Sequence, residues 1–210
     1  AGGRPAHRTI THTMSDAIDI LPPDLIWPAR TVSGRGAVET LTQECAGFGR
    51  RGILLHGHSL VDGDHLSSIM AGCPPNVAVL PLCSPGGEPT LAELDRLLGE
   101  ARGHRPDWIA GVGGGSTMDT AKSALCVAAC GGSVADYFGF DKFDKPPLAP
   151  LVGIPTTAGT GSAASRVTVV ADDTGKQALY ADYLQPKAAL VDPLLHSDLP
   201  PVLTAVTGLD

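Results

Sequence analysis

Residues 107–122 read DWIAGVGGGSTMDTAK, and this stretch decides the architecture. Trp108, Ile109, Ala110 and Val112 make a short apolar run without polar alternation, the pattern of a strand buried on both faces. Residues 117–129 (TMDTAKSALCVAA) then carry a helical pattern, closed by Gly131 and Gly132. Between the two lie Gly113, Gly114 and Gly115, which let backbone N–H groups approach a diphosphate without a Cβ in the way. The helix that follows points its positive end at the same spot. Ser116 or Thr117 is placed to cap that helix or to bond a phosphate oxygen. The spacing departs from G-x-G-x-x-G, because Met118 stands where the third glycine is due. A tight turn that only caps a helix is the competing reading.

On both sides of this stretch, short apolar runs alternate with helical patterns. Strands are expected over residues 52–56 (GILLH), 76–82 (NVAVLPL), 148–154 (LAPLVGI), 167–171 and 188–192 (AALVD). Helices are expected over 61–72 and over 90–102, where Leu91, Leu94, Leu97, Leu98 and Ala101 recur at helical intervals. A turn is expected at Asp172-Asp173-Thr174-Gly175. This order predicts an α/β fold, a Rossmann-like parallel sheet with helices on both faces. Such sheets take ligands in the crevice at the carboxyl ends of their strands. Residues 1–24 read as a flexible arm and 25–198 as the α/β domain, while 199–210 open a helical region.

A second loop, Pro155-Thr156-Thr157-Ala158-Gly159-Thr160-Gly161-Ser162, directly follows the strand expected at 148–154. Its four hydroxyls and two glycines can line a ligand, although a Thr/Gly stretch by itself is more often only a loop. Both loops follow parallel-type strands, so both should open on one edge of the sheet.

The 210 residues contain 26 Gly and 18 Pro, with 18% charged and 43% hydrophobic residues, a composition that argues against global disorder. A net charge of −7, spread along the chain, disfavours nucleic acid and anionic membranes as partners. No apolar run approaches the roughly 18 residues of a membrane span. The opening AGGRPAHRTITHTMSD has neither an initiator Met nor the apolar core of a secretory signal. Five cysteines, an odd number with no zinc-ligand spacing, are expected to be reduced thiols of a cytoplasmic protein.

GGGSTMDTAK followed by PTTAGTGS resembles the iron-containing (group III) alcohol dehydrogenases. The resemblance extends to Glu88-Pro89-Thr90, to LVDP at 190–193 and to the stretch from Leu199 to Asp210. Dehydroquinate synthases and glycerol dehydrogenases share that fold, and PTTAGTGS favours the alcohol dehydrogenase branch. The resemblance implies an NAD(P)-dependent, metal-dependent oxidoreductase that passes hydride between a nicotinamide and a small alcohol or aldehyde. It implies that Gly113, Gly114, Gly115, Ser116 and Thr117 cradle the cofactor diphosphate with Asp119 beside them. Thr156, Thr157, Thr160 and Ser162 would contact the nucleotide, and Lys176 would reach its ribose. Asp210 matches the family's first metal ligand, for Fe²⁺ or Zn²⁺, and the chain supplies none of the three histidines that complete the set.

Two departures matter. Ala163 stands where the family commonly has Glu. Gly57 stands where many NAD-specific relatives carry an Asp on the ribose hydroxyls, which admits NADP and favours it. With one metal ligand at most, the chain is expected to hold the cofactor half of such an enzyme and not to turn over alcohol alone. The alternatives are a catalytically inactive nucleotide-binding module or truncated paralogue, and a maleylacetate-reductase-like enzyme. Leu199, Val202, Leu203, Val206 and Leu209 would form an apolar patch, so a homodimer or a C-terminal half is expected to cover them.

Other residues have plainer readings. His56, His58 and His65 read as loop histidines, since no carboxylate or thiol cluster accompanies them. Cys126 and Cys130 read as small apolar residues on one helix face. Asp192 starts a turn before Pro193, Lys122 is an exposed helix charge unless the resemblance holds, and Lys176 is either a hairpin charge or a cofactor contact.

Overall fold

A computed structural model describes residues 27–210 apart from 63, 64, 85 and 88. The arm expected over 1–24 and Glu88 of the motif lie outside the described residues. The strands are β1 (Arg30–Ser33), β2 (Arg51–His56), β3 (Ala78–Cys83), β4 (Trp108–Gly113), β5 (Gly139–Phe140), β6 (Leu151–Pro155), β7 (Val167–Asp172), β8 (Gly175–Tyr180) and β9 (Ala188–Val191). The helices are α1 (Leu41–Ala46), α2 (Ser59–Asp62), α3 (His65–Ala71), α4 (Leu91–His104), α5 (Gly115–Cys130) and α6 (Pro201–Gly208).

Six strands form a parallel sheet in the order β1-β9-β6-β4-β2-β3. Its central strand β4 is buried along its whole length, which explains a run with no polar alternation. Successive side chains divide between two cores. Leu54, Ala110, Val112, Val152 and Ile154 join Leu41, Leu60 and Ile69 on the α1–α3 side. Ile53, Leu55, Ile109 and Leu151 join Leu97, Ala121 and Leu125 on the α4–α5 side. A third cluster, including Leu94, Leu98, Val127, Val170 and Leu179, packs the outer flank of α4 and α5 against a small second sheet, β5-β8-β7. The α/β class with a parallel sheet covered on both faces is therefore present.

Several local features follow from single residues. Thr90 caps α4 in a capping box, its hydroxyl accepting from the Glu93 N–H while the Glu93 carboxylate accepts from the Thr90 N–H at 2.8 Å. Gly52 leaves room for the indole of the buried Trp108, which any Cβ there would overlap. Pro147 and Pro150 lack an N–H for the ladder, and β6 begins only at Leu151. The helix expected over 61–72 is present on either side of residues 63 and 64, as α2 and α3.

The strands β1, β5 and β8 escape the sequence pattern. β1 is largely exposed and β8 begins with the polar Gly175-Lys176-Gln177, so neither shows an apolar run. The turn at 172–175 is present, and Asp172 Oδ1 accepts from the Thr174 N–H and the Gly175 N–H at 2.7 and 3.0 Å.

Candidate active site

Strand β2 is followed outward by β3, after which the chain crosses to the other side of β2 and continues through β4, β6 and β9. The winding reverses between β2 and β4, so the crevice between their carboxyl ends is where an open sheet of this kind takes a ligand. Gly57 closes that point, its N–H donating to the Val112 carbonyl at 3.1 Å.

The two loops read from the sequence leave adjacent strands on that edge. β4 pairs with β6 in register Gly113 to Pro155, and the Thr156 N–H donates to the Gly113 carbonyl at 3.0 Å. Gly113, Gly114 and Gly115 line a cleft of about 230 Å³ with Thr157, Gly159, Thr160 and Ser162. A cavity of about 640 Å³ adjoins it, lined by Gly115, Ser116, Asp119, Thr160, Ser162, Lys176 and Asp210. Thr156 faces elsewhere, into a hollow of about 430 Å³ shared with Ser59, His65 and Asp198.

Helix α5 begins earlier than the sequence pattern indicates. Its N-cap is Gly114, in extended conformation, and no side chain caps it. The expectation that Ser116 or Thr117 caps the helix is therefore corrected, because both lie inside its first turn. The N–H groups of that turn have no partner within the helix and no capping side chain, which suits them to an anion.

The three glycines differ in what they serve. A Cβ on Gly113 would come within 2.5 Å of Thr117 Oγ1, and one on Gly115 within 2.8 Å of Thr160 Cγ2. Those two are required by the protein's own packing. A Cβ on Gly114 would meet only Thr157, at an ordinary 3.6 Å, and the backbone there is extended. Neither conformation nor packing demands glycine at 114.

The remaining residues are tied down. Thr117 is buried, and Gly57 faces it with 3.4 Å between a hypothetical Cβ and Thr117 Oγ1. Asp119 is buried, its Oδ1 accepting from Ser162 Oγ at 3.3 Å and its Oδ2 from the Val169 N–H at 3.1 Å. Ser162 is buried and Ala163 packs against Gly153. Lys176 is exposed on β8. Asp210 sits beside the second loop, 3.4 Å from where a Gly159 Cβ would stand.

Lys122 is a correction: it is 1% exposed rather than an exposed helix charge. Burial pushes its pKa down from 10.5 to about 8, with the Asp119 carboxylate opposing that shift. The sequence signal was present in its spacing, three residues after Asp119, which puts both on one face of α5.

Among the described residues no three His, Cys, Asp or Glu side chains converge on a possible metal position. His56 is buried, His58 lies 3.7 Å from Cys83 Sγ, and His65 pairs with Asp198 at 3.1 Å. Cys126 is buried and all five cysteines are free. Asp192 is fully buried and starts a turn as expected, accepting from the Leu194 and Val38 N–H groups. A further hollow of about 460 Å³ runs between α1 and α3, where the carboxylate of Asp192 and the imidazole of His65 are already paired within the protein. No helix among the described residues is long and apolar enough to cross a membrane.

Comparison with known proteins adds relatives to this geometry. A family model described as iron-containing alcohol dehydrogenase matches residues 28–193. Long-chain-alcohol dehydrogenase 1 of Geobacillus thermodenitrificans is 42% identical over 126 residues, 59% of this chain and 32% of that protein. The NAD-dependent methanol dehydrogenase of Bacillus methanolicus is 32% identical over 189 residues, 87% of this chain and 49% of that protein. The solved sulfoacetaldehyde reductase of Bifidobacterium kashiwanohense, in complex with NAD+, superposes with a TM-score of 0.78 at 29% identity, covering 90% of this chain and 51% of that one. The chain thus spans about half the length, or less, of the relatives it matches.

Proposed function

The chain belongs to the iron-containing alcohol dehydrogenase family, and from that premise we propose that its switch-point cleft holds NAD(P) for hydride exchange with an alcohol or aldehyde. The observation that carries this reading is Gly114, a glycine with no conformational or packing reason of its own, at the uncapped start of the sixteen-residue helix α5. A diphosphate suits that position: it needs close backbone approach and several N–H donors, and the first turn of α5 offers both. When bound, the nicotinamide ring supplies the carbon that accepts or donates hydride.

The chain's own residues divide the work. The backbone at Gly114, Gly115, Ser116 and Thr117 takes the diphosphate oxygens. Thr157 and Thr160 wall the cleft from the second loop, and Lys176 brings positive charge to the adjoining cavity. Asp119 and Ser162 brace the second loop where they line the adjoining cavity. Gly57, at the end of β2, leaves a 2′-phosphate unopposed, so NADP(H) is preferred to NAD(H). Residues 25–198 make the nucleotide-binding unit, and α6 opens the helical region that follows it.

The metal half is a different matter. Asp210 contributes one carboxylate, whereas a catalytic Fe²⁺ or Zn²⁺ needs about three protein ligands. The described residues do not supply them. Nucleotide binding is the part of that activity we assign to this chain. Titration with NADPH and NADH, read by nicotinamide fluorescence, tests the assignment. Saturable binding with NADPH the tighter ligand supports it, and no binding of either overturns it.

A further inference from the structure

One face of α5 holds a single segment of chain, residues 162–169, which joins the Thr/Gly loop to β7. Asp119 grips its two ends through Ser162 Oγ and the Val169 N–H. Ser123 Oγ lies 3.1 Å from Thr168 Oγ1, which itself donates to the Asp119 carbonyl at 2.9 Å. Between these, Lys122 Nζ donates to the carbonyls of Ser165 and Val167, each at 2.9 Å, and to Ser165 Oγ at 3.2 Å.

A buried ammonium among neutral oxygens is an expensive way to fill space, and an apolar chain of similar length would avoid the desolvation. What the ammonium adds is three donors on one atom, fixed to two carbonyls two residues apart. Those carbonyls belong to the stretch that leads from Gly159 and Thr160, beside Gly114 and Gly115, to the hairpin bearing Lys176.

We propose that Lys122 is a positioning residue for the nucleotide cleft, holding residues 160–169 against α5 so that Thr160 and Lys176 meet the ligand bound at Gly114. The inference rests on the nucleotide reading of that cleft. Loss of the lysine's proton leaves two N–H groups for three oxygens, so the grip weakens in alkali. The groups facing this lysine are Asp119 and Cys126 on its own helix, and Tyr183 and Lys187 from the chain packed beside it. Burial holds Cys126 protonated up to about 12.

The test is NADPH titration of the wild-type chain and of Lys122→Met, from pH 6.5 to 9.5. At pH 7 the variant is expected to bind about tenfold more weakly, the worth of one charge-assisted hydrogen bond. Wild-type affinity is expected to fall as pH rises through about 8, while the profile of the variant stays flat across that point. Wild-type binding with no such fall, or a variant as tight as wild type, overturns this inference alone. No binding by the wild-type chain overturns the reading of the cleft and this inference with it. The wild-type profile decides the matter even where the variant does not fold.

Discussion

The N–H of Thr156 donates to the carbonyl of Gly113 at 3.0 Å, so the two loops that carry the family motifs leave the sheet bonded to each other. That bond continues the β4–β6 ladder one residue past the end of β6, which ends at Pro155. It turns two separately weak sequence signals into one wall of a cleft. Both loops are set by buried parallel strands, and the ligand site inherits their rigidity.

The glycines should separate in their effects on stability. Gly113→Ala forces a Cβ against the hydroxyl and methyl of Thr117 on a fully buried side chain. Overpacking of this kind costs about 1–3 kcal/mol. Chemical denaturation is expected to report that loss, and an unchanged midpoint would contradict the packing role assigned to Gly113.

Cofactor choice should turn on the end of β2. There is room for a side chain at Gly57, where a Cβ meets nothing closer than 3.4 Å. Gly57→Asp would then fold normally, repel a 2′-phosphate and accept from ribose hydroxyls. The ratio of NADPH to NADH affinity is expected to fall about tenfold or more, a shift of roughly 1.4 kcal/mol. A ratio that does not move would remove Gly57 from the specificity site.

Lys122 also predicts a pH dependence of stability. Its pKa is about 8 in the fold against 10.5 in the unfolded chain. Between those values the unfolded chain carries a proton that the folded one lacks, so stability rises with pH through that window. The rise is lost again as pH falls through about 8. Cys45 and Cys126, pushed by burial from 9.0 to about 12, act in the opposite sense above pH 9. The comparison to make is wild type against Lys122→Met, because both share the cysteines. Wild type is expected to gain on the variant, by on the order of 3 kcal/mol between pH 7 and 10.5. Parallel curves would mean that this lysine is not perturbed.

The sequence displayed the sheet well because β2, β4, β6 and β9 are buried on both faces and show it as unbroken apolar runs. It displayed both loops because glycine and threonine clusters at strand ends are visible without coordinates. It did not reveal the second sheet, since β8 presents Gly175 and Lys176 to solvent and has no apolar alternation at its start. Nor did it separate the three glycines, whose different roles depend on Thr117 and Thr160 lying across from two of them. The linear pattern puts Lys122 on one face of α5 with Asp119 but does not show that this face is buried. Its burial follows from the packing of β7 against α5, a contact between residues more than forty positions apart.

Helix α6 has no buried residue; Val202, Leu203 and Val206 are exposed on it, and Leu209 is exposed just past its end. An apolar helix of this kind favours association. Val202→Lys together with Val206→Lys is expected to reduce self-association of the chain, seen as a lower mass in light scattering at high concentration. A wild-type chain that is monomeric throughout would contradict the expectation.

The central claim is that Gly114 is glycine for the sake of a bound diphosphate. Gly114→Asp tests it most directly, because Asp is a favoured N-cap in the extended conformation found there and suits the positive end of α5. The variant's melting temperature is expected to hold or rise while its NADPH affinity, by fluorescence titration, falls at least about a hundredfold, or ~2.7 kcal/mol. Unchanged NADPH affinity in a folded Gly114→Asp chain would contradict it.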